Sequence, residues 1–136
     1  SVASGEGEIA VANTYYYALM LSGKKGEDQK RAAKKLKPFF PNQAHRGTHI
    51  NISGGGVLKY SKNKNNAIKF LEFLLSEKAQ KHIVNNTFEY PIIENIRPNR
   101  LIEEMGLGFK QDKTKVSSFG KWQADALRIM TESGWK

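Results

Sequence analysis

Tyr15, Tyr16 and Tyr17 stand next to one another, behind Asn13-Thr14 and the apolar run Ile9-Ala10-Val11-Ala12. Three adjacent phenols cannot all face one core, because neighbouring side chains point about 100° apart on a helix and to opposite faces on a strand. At least one is therefore aimed away from the packing. A deprotonated phenol is a hard anionic oxygen donor. It suits a hard, highly charged cation such as ferric iron better than zinc or copper, which favour nitrogen and sulfur. A free tyrosine titrates near pH 10, so ligation at neutral pH requires the metal to displace the proton. The residues alone leave two readings open: packing or interface tyrosines, and an anionic-oxygen site.

Other chemistry is sparse. The 136-residue chain has no cysteine, which removes disulfides, thiolate metal sites and thiol nucleophiles together. His45 and His49 have the i,i+4 spacing of metal ligands, but Gly47 lies between them and His49 falls in a predicted strand. His82 reads as an ordinary helix residue. Glu6/Glu8 and Glu103-Glu104 sit in solvated contexts without a partner for acid–base work. Gly54-Gly55-Gly56 is not followed by the Gly-Lys-Ser/Thr of a phosphate loop, and there is no Gly-x-Ser-x-Gly. Nothing here makes a case for an enzyme.

The elements that must carry the tyrosines follow from pattern. Gly7–Ala12 reads as a buried strand. Thr14 is expected to cap a helix over Tyr15–Ser22 that Gly23 closes. The tyrosines thus fall where a strand ends and a helix begins, the place where open α/β sheets bind ligands and where free N–H groups and the helix dipole favour anions. A basic helix follows over Gly26–Lys37, stopped by Pro38. Thr48–Ser53 and Val57–Tyr60 read as strands separated by the three glycines. Asn63–Val84 has helical periodicity through Ile68, Leu71, Leu75, Ala79 and Ile83. Phe88–Ile93 reads as extended, Leu101–Met105 as a helical turn, and the region from Ser117 or Ser118 to Glu132 as a last helix. Alternating strands and helices predict an α/β fold. The strands are few for this length, as expected if part of the sheet lies on sequence outside the chain.

Hydrophobic content of 39% and charged content of 26% are those of an ordinary globular domain. No run approaches the roughly 20 apolar residues of a membrane span, and no signal peptide is visible, so the sequence reads as a mature form, an excised domain or a fragment. The net charge of +9 comes from 22 basic and 13 acidic residues. It is concentrated in Lys24, Lys25, Lys30, Arg31, Lys34, Lys35 and Lys37, which read as a solvated helix face. A basic nucleic-acid-binding domain is the alternative, but aromatic and basic residues are not interleaved as on a base-stacking platform.

The stretch from Glu6 to Tyr17 (EGEIAVANTYYY) resembles a segment of the ferric-iron-binding periplasmic proteins, the substrate-binding subunits of iron(III) ABC importers. The resemblance continues through Phe40–Gln43 (FPNQ), Gly47–Val57 (GTHINISGGGV), Asn66–Ser76 (NAIKFLEFLLS) and Glu89-Tyr90-Pro91 to Ile129–Trp135 (IMTESGW). It implies an α/β chain, part of a two-lobe type II periplasmic-binding-protein fold and corresponding to its C-terminal part. By resemblance, Tyr15 and Tyr16 match the iron-ligating pair, Asn13 lies near a synergistic anion, and Tyr17 is not a ligand. The expected segments are 1–46 in the second lobe, 47–53 as a hinge crossing, 54–99 in the first lobe and 100–136 returning to the second. Periplasmic location, Fe(III) as cargo and a membrane permease as partner follow from the same resemblance. A solute-binding protein of this fold for another metal or an anion is the closest alternative. The remaining iron ligands would lie on sequence not present here, and apolar faces without partners would make the isolated chain self-associating or marginally stable.

Overall fold

The computed structural model describes residues 2–135; Ser1 and Lys136, the ends of the first and last expected segments, lie outside the described residues. Among the described residues six α-helices form: α1 Thr14–Leu21, α2 Glu27–Lys34, α3 Lys64–Leu74, α4 Glu77–Thr87, α5 Arg100–Glu103 and α6 Phe119–Glu132. The chain divides into two units. One comprises Ser1–Phe39 with Asn51–Phe109, and the other Phe40–Ile50 with Lys110–Lys136.

In the first unit α1 packs against α2 and α5. The buried contacts are made by small or branched residues: Ala18 on α1, Ala33 on α2 and Ile102 on α5 are fully buried. Ala18 and Ala33 let the backbones approach closely, and Ile102 supplies volume. A glycine closes α1, since Gly23 sits at φ +78°, where an L side chain is strained. The basic helix is shorter than expected, beginning at Glu27 behind Gly26. Its acidic first turn neutralises part of its own charge, with Glu27 paired to Lys30 at 3.7 Å and Asp28 to Arg31.

The long helix expected over Asn63–Val84 is two helices. Ser76 adopts an extended backbone, and its hydroxyl accepts from the Ala79 N–H at 3.3 Å. A serine that caps in this way offers the backbone an alternative to continuing the helix. The Gln80 amide reinforces the break by donating to the Leu74 carbonyl at 2.9 Å and accepting from the Ile92 N–H at 3.1 Å. Phe88 ends α4 in the left-handed region instead of starting a strand, and its ring is buried beneath the Lys24 ammonium.

The predicted strands do not pair. Among the described residues the ladder is reduced to one parallel bridge, Thr48 with Gln111, in the second unit. Ile9 and Val11, expected to be buried in a strand, are 87% and 82% exposed. A strand exists only as one of a pair, because its N–H and C=O groups need a neighbouring strand. Asn13 is extended (φ −75°, ψ 144°), but residues 7–12 form no strand and their sheet partners are not among the described residues. The bridge is held by Thr48 N–H to the Lys110 carbonyl and Asp112 N–H to the Thr48 carbonyl, both at 2.8 Å. Gly47 beside it must be glycine: it has φ +96°, and a Cβ there would stand 2.7 Å from the Lys110 carbonyl oxygen. Of the three glycines 54–56, only Gly55 sits under another group, where a Cβ would lie 2.9 Å from the Leu71 side chain.

Candidate metal centre

The tyrosine run begins with a helix start that behaves unusually. Asn13, not Thr14, is the N-cap, since Thr14 already has helical geometry. An asparagine there normally accepts a hydrogen bond from an N–H of the first turn, a bond whose loss costs about 0.5–2 kcal/mol. Asn13 makes no such bond. Its amide is directed elsewhere. Asn13 Nδ2 donates to the Tyr15 hydroxyl oxygen at 3.4 Å, and Asn13 Oδ1 accepts from Asn51 Nδ2 at 3.3 Å. The first turn of α1 carries no acidic residue, so the positive end of its dipole is uncompensated.

Tyr15 and Tyr16 lie together, with ring centroids 4.2 Å apart and planes tilted by 43°. Adjacent residues of a regular helix diverge. These two converge at the first turn, where the chain enters from an extended segment. Tyr16 is 53% exposed. The hydrogen bond it shares with the Tyr15 phenol raises its pKa above the usual tyrosine value, and repulsion between two adjacent phenolates adds to this. Without a cation Tyr16 therefore holds its proton more firmly than a lone tyrosine would. A bound cation reverses that balance, because it removes the repulsion that keeps the second proton on.

Tyr17 has a different role. Its hydroxyl donates to the Leu36 carbonyl at 3.0 Å, tying α1 to the segment after α2, and burial raises its pKa. It packs, while its two neighbours present oxygen.

The other candidates do not assemble. Among the described residues no three His, Cys, Asp or Glu side chains gather as a metal site. The His49 ring packs on Phe119 with centroids 5.3 Å apart, the His45 carbonyl accepts from the Lys110 ammonium, and His82 lies beside Asn86 on α4. A cavity of about 190 Å³ in the second unit is lined by His49, Asp112, Thr114 and Phe119 among others. Asp112 is its most constrained group, its side chain only 12% exposed and paired with Arg46 at 3.5 Å. Hydrogen bonds from the Thr114 hydroxyl at 2.7 Å and the Thr114 N–H at 2.9 Å hold its carboxyl below the usual range, helped by Arg46 and His49.

Asn51 is the member of the tyrosine cluster that the sequence did not single out. Its one signal is an asparagine inside the β-rich run Thr48–Ser53, where that residue type is disfavoured. Only the fold brings it to Asn13, 38 residues earlier.

Residues 1–81 match the model of the bacterial extracellular solute-binding protein family. The chain belongs to this family. Among curated relatives, iron uptake protein A1 of Synechocystis is 44% identical over 138 residues, a match that takes in 100% of this chain and 37% of that protein. Two solved structures agree. A Trichodesmium protein in complex with iron and citrate is 46% identical with TM-score 0.91, and the ferric binding protein of Campylobacter jejuni is 38% identical with TM-score 0.89. Each match covers 99% of this chain and 42% of the other. The chain thus spans about two fifths of the length of these proteins. The α/β class expected from the sequence holds: the chain carries part of a type II periplasmic-binding-protein fold. Its conformation is that of the matching stretch of these longer chains.

Proposed function

We propose that the protein to which this chain belongs binds ferric iron in the periplasm and hands it to the permease of an ABC-type importer. Tyr15 and Tyr16 supply phenolate oxygens, and Asn13 stands beside them, next to an accompanying anion such as citrate. No catalytic step is part of this proposal. The observation that carries it is the convergence of Tyr15 and Tyr16 at an uncompensated helix N-terminus, with an Asn13 N–H directed at the Tyr15 oxygen. The iron named for the similar proteins supports the choice of metal. Two phenolates leave most of an octahedral shell to other donors, so the chain by itself should hold iron weakly and the full protein firmly.

Adding ferric citrate should produce a visible phenolate-to-iron charge-transfer colour. Tyr15→Phe with Tyr16→Phe should abolish it, and Tyr17→Phe should leave it intact. Colour that survives the double change would overturn the assignment. The proposal includes the lobe arrangement 1–46, 54–99 and 100–136 about a crossing at 47–53, with release by lobe opening. Small-angle scattering of the full-length protein should show contraction on iron loading; an unchanged radius would remove the opening step.

A further inference from the structure

We propose that Asn51 is a positioning residue that sets which end of the Asn13 amide faces Tyr15. The inference rests on the iron reading for its purpose, but its geometry stands independently. An asparagine side chain offers a donor on one side and an acceptor on the other. Asn51 Nδ2 donates to Asn13 Oδ1, which leaves Asn13 Nδ2 to face the Tyr15 oxygen. A donor facing that oxygen suits a phenolate bound to a cation. The reverse arrangement is equally self-consistent: Asn51 Oδ1 accepts from Asn13 Nδ2, and Asn13 Oδ1 accepts from the Tyr15 O–H. That arrangement suits a neutral phenol. Two amides in series therefore serve both forms of Tyr15 by turning together, with no hydrogen bond lost in either.

Asn13 is free to turn because it makes no hydrogen bond to the first turn of α1, where an N-cap asparagine ordinarily spends its oxygen. Asn51 is free as well. It is exposed, and its own Oδ1 accepts no hydrogen bond among the described residues. The device needs an amide at position 51. A carboxylate only accepts, so it would capture Asn13 Nδ2 and turn the Asn13 carbonyl toward Tyr15, against a phenolate.

This makes a prediction opposite to that of simple charge. Asn51→Asp adds a negative charge near the phenols, which by Coulomb attraction alone would tighten a trivalent cation. Orientation by Asn51 requires that Asn51→Asp weaken it, by about tenfold (a 1.4 kcal/mol difference) and more than Asn51→Ala does. The measurement is iron partition from ferric citrate, followed by the charge-transfer band. In Asn51→Asp that band should also move to longer wavelength, because the phenolate loses a hydrogen-bond donor. A metal-free readout runs beside it: the Asn13 side-chain NH2 resonances should shift in Asn51→Asp, while the Tyr17–Leu36 contact stays as in the parent. Tighter or unchanged iron binding in Asn51→Asp, or unmoved Asn13 amide signals, would overturn the inference. If the parent itself shows no colour, the iron reading fails and the amide signals still decide the orientation.

Discussion

Helices α5 and α6 carry the same residue in opposite circumstances. Ile102 on α5, a helix of four residues, is fully buried beside α1. Ile129 on α6, a helix of 14 residues, is 54% exposed, and α6 buries no residue at all. Length and periodicity would rank them the other way, since α6 has the apolar stripe Trp122, Ala126, Ile129 and Met130 at helical spacing. The difference teaches that an apolar face states a requirement for a partner and does not say where the partner is. For α5 it is α1, in the same unit. For α6 no such cover is found among the described residues, in a chain that spans about two fifths of its relatives. The tyrosine pair stands on the satisfied side of this contrast. Its helix is anchored by Ala18, Ala33, Ile102 and the Tyr17–Leu36 bond, so the pair is held within the first unit.

The sharpest way to break the comparison is to make one change in both helices. Ile102→Ala should cost about 2–5 kcal/mol, a lost side chain plus a cavity. Ile129→Ala should stay within roughly 0.5 kcal/mol. Urea unfolding followed by circular dichroism reads both, and equal losses would erase the distinction. Light scattering gives the second arm. The parent chain should associate as its concentration rises, and Ile129→Ala should reduce this while Ile102→Ala does not. A smaller effect concerns pH and belongs to the second unit alone. The Asp112 carboxyl is held below its ordinary range by Thr114, Arg46 and His49, so its contribution to folding is complete above the ordinary aspartate pKa. It is lost as pH falls from about 3.9 through the lower folded value. Asp112→Asn should flatten that part of the acid-unfolding curve and leave the neutral-pH colour with iron unchanged; an acid limb as steep as the parent's would remove Asp112 from this role.

Much of the local structure was legible in the sequence. Gly23 closes α1 at a positive φ, the turn expected at Leu101–Met105 appears as α5, and the last helix runs to Glu132 as expected. Each is decided within a few residues by backbone geometry and short side chains. Two expectations failed for reasons that periodicity cannot carry. The stripe from Ile68 to Ile83 continues across Ser76, yet the serine hydroxyl and the Gln80 amide break the helix there. The apolar run Ile9–Ala12 is that of a buried strand, yet pairing depends on residues far away or outside the chain.

The sequence by itself determined that oxygen donors crowd the start of α1, because three adjacent phenols cannot all be buried whatever the fold. It also excluded thiolate chemistry outright. Only the tertiary structure decided which phenols remain free. Tyr17 is taken by a carbonyl that lies 19 residues away, and Asn13 is turned by an amide 38 residues away. Hydrogen bonds are directional and close only at short range, so residue type can announce a donor or an acceptor, but the fold must deliver its partner.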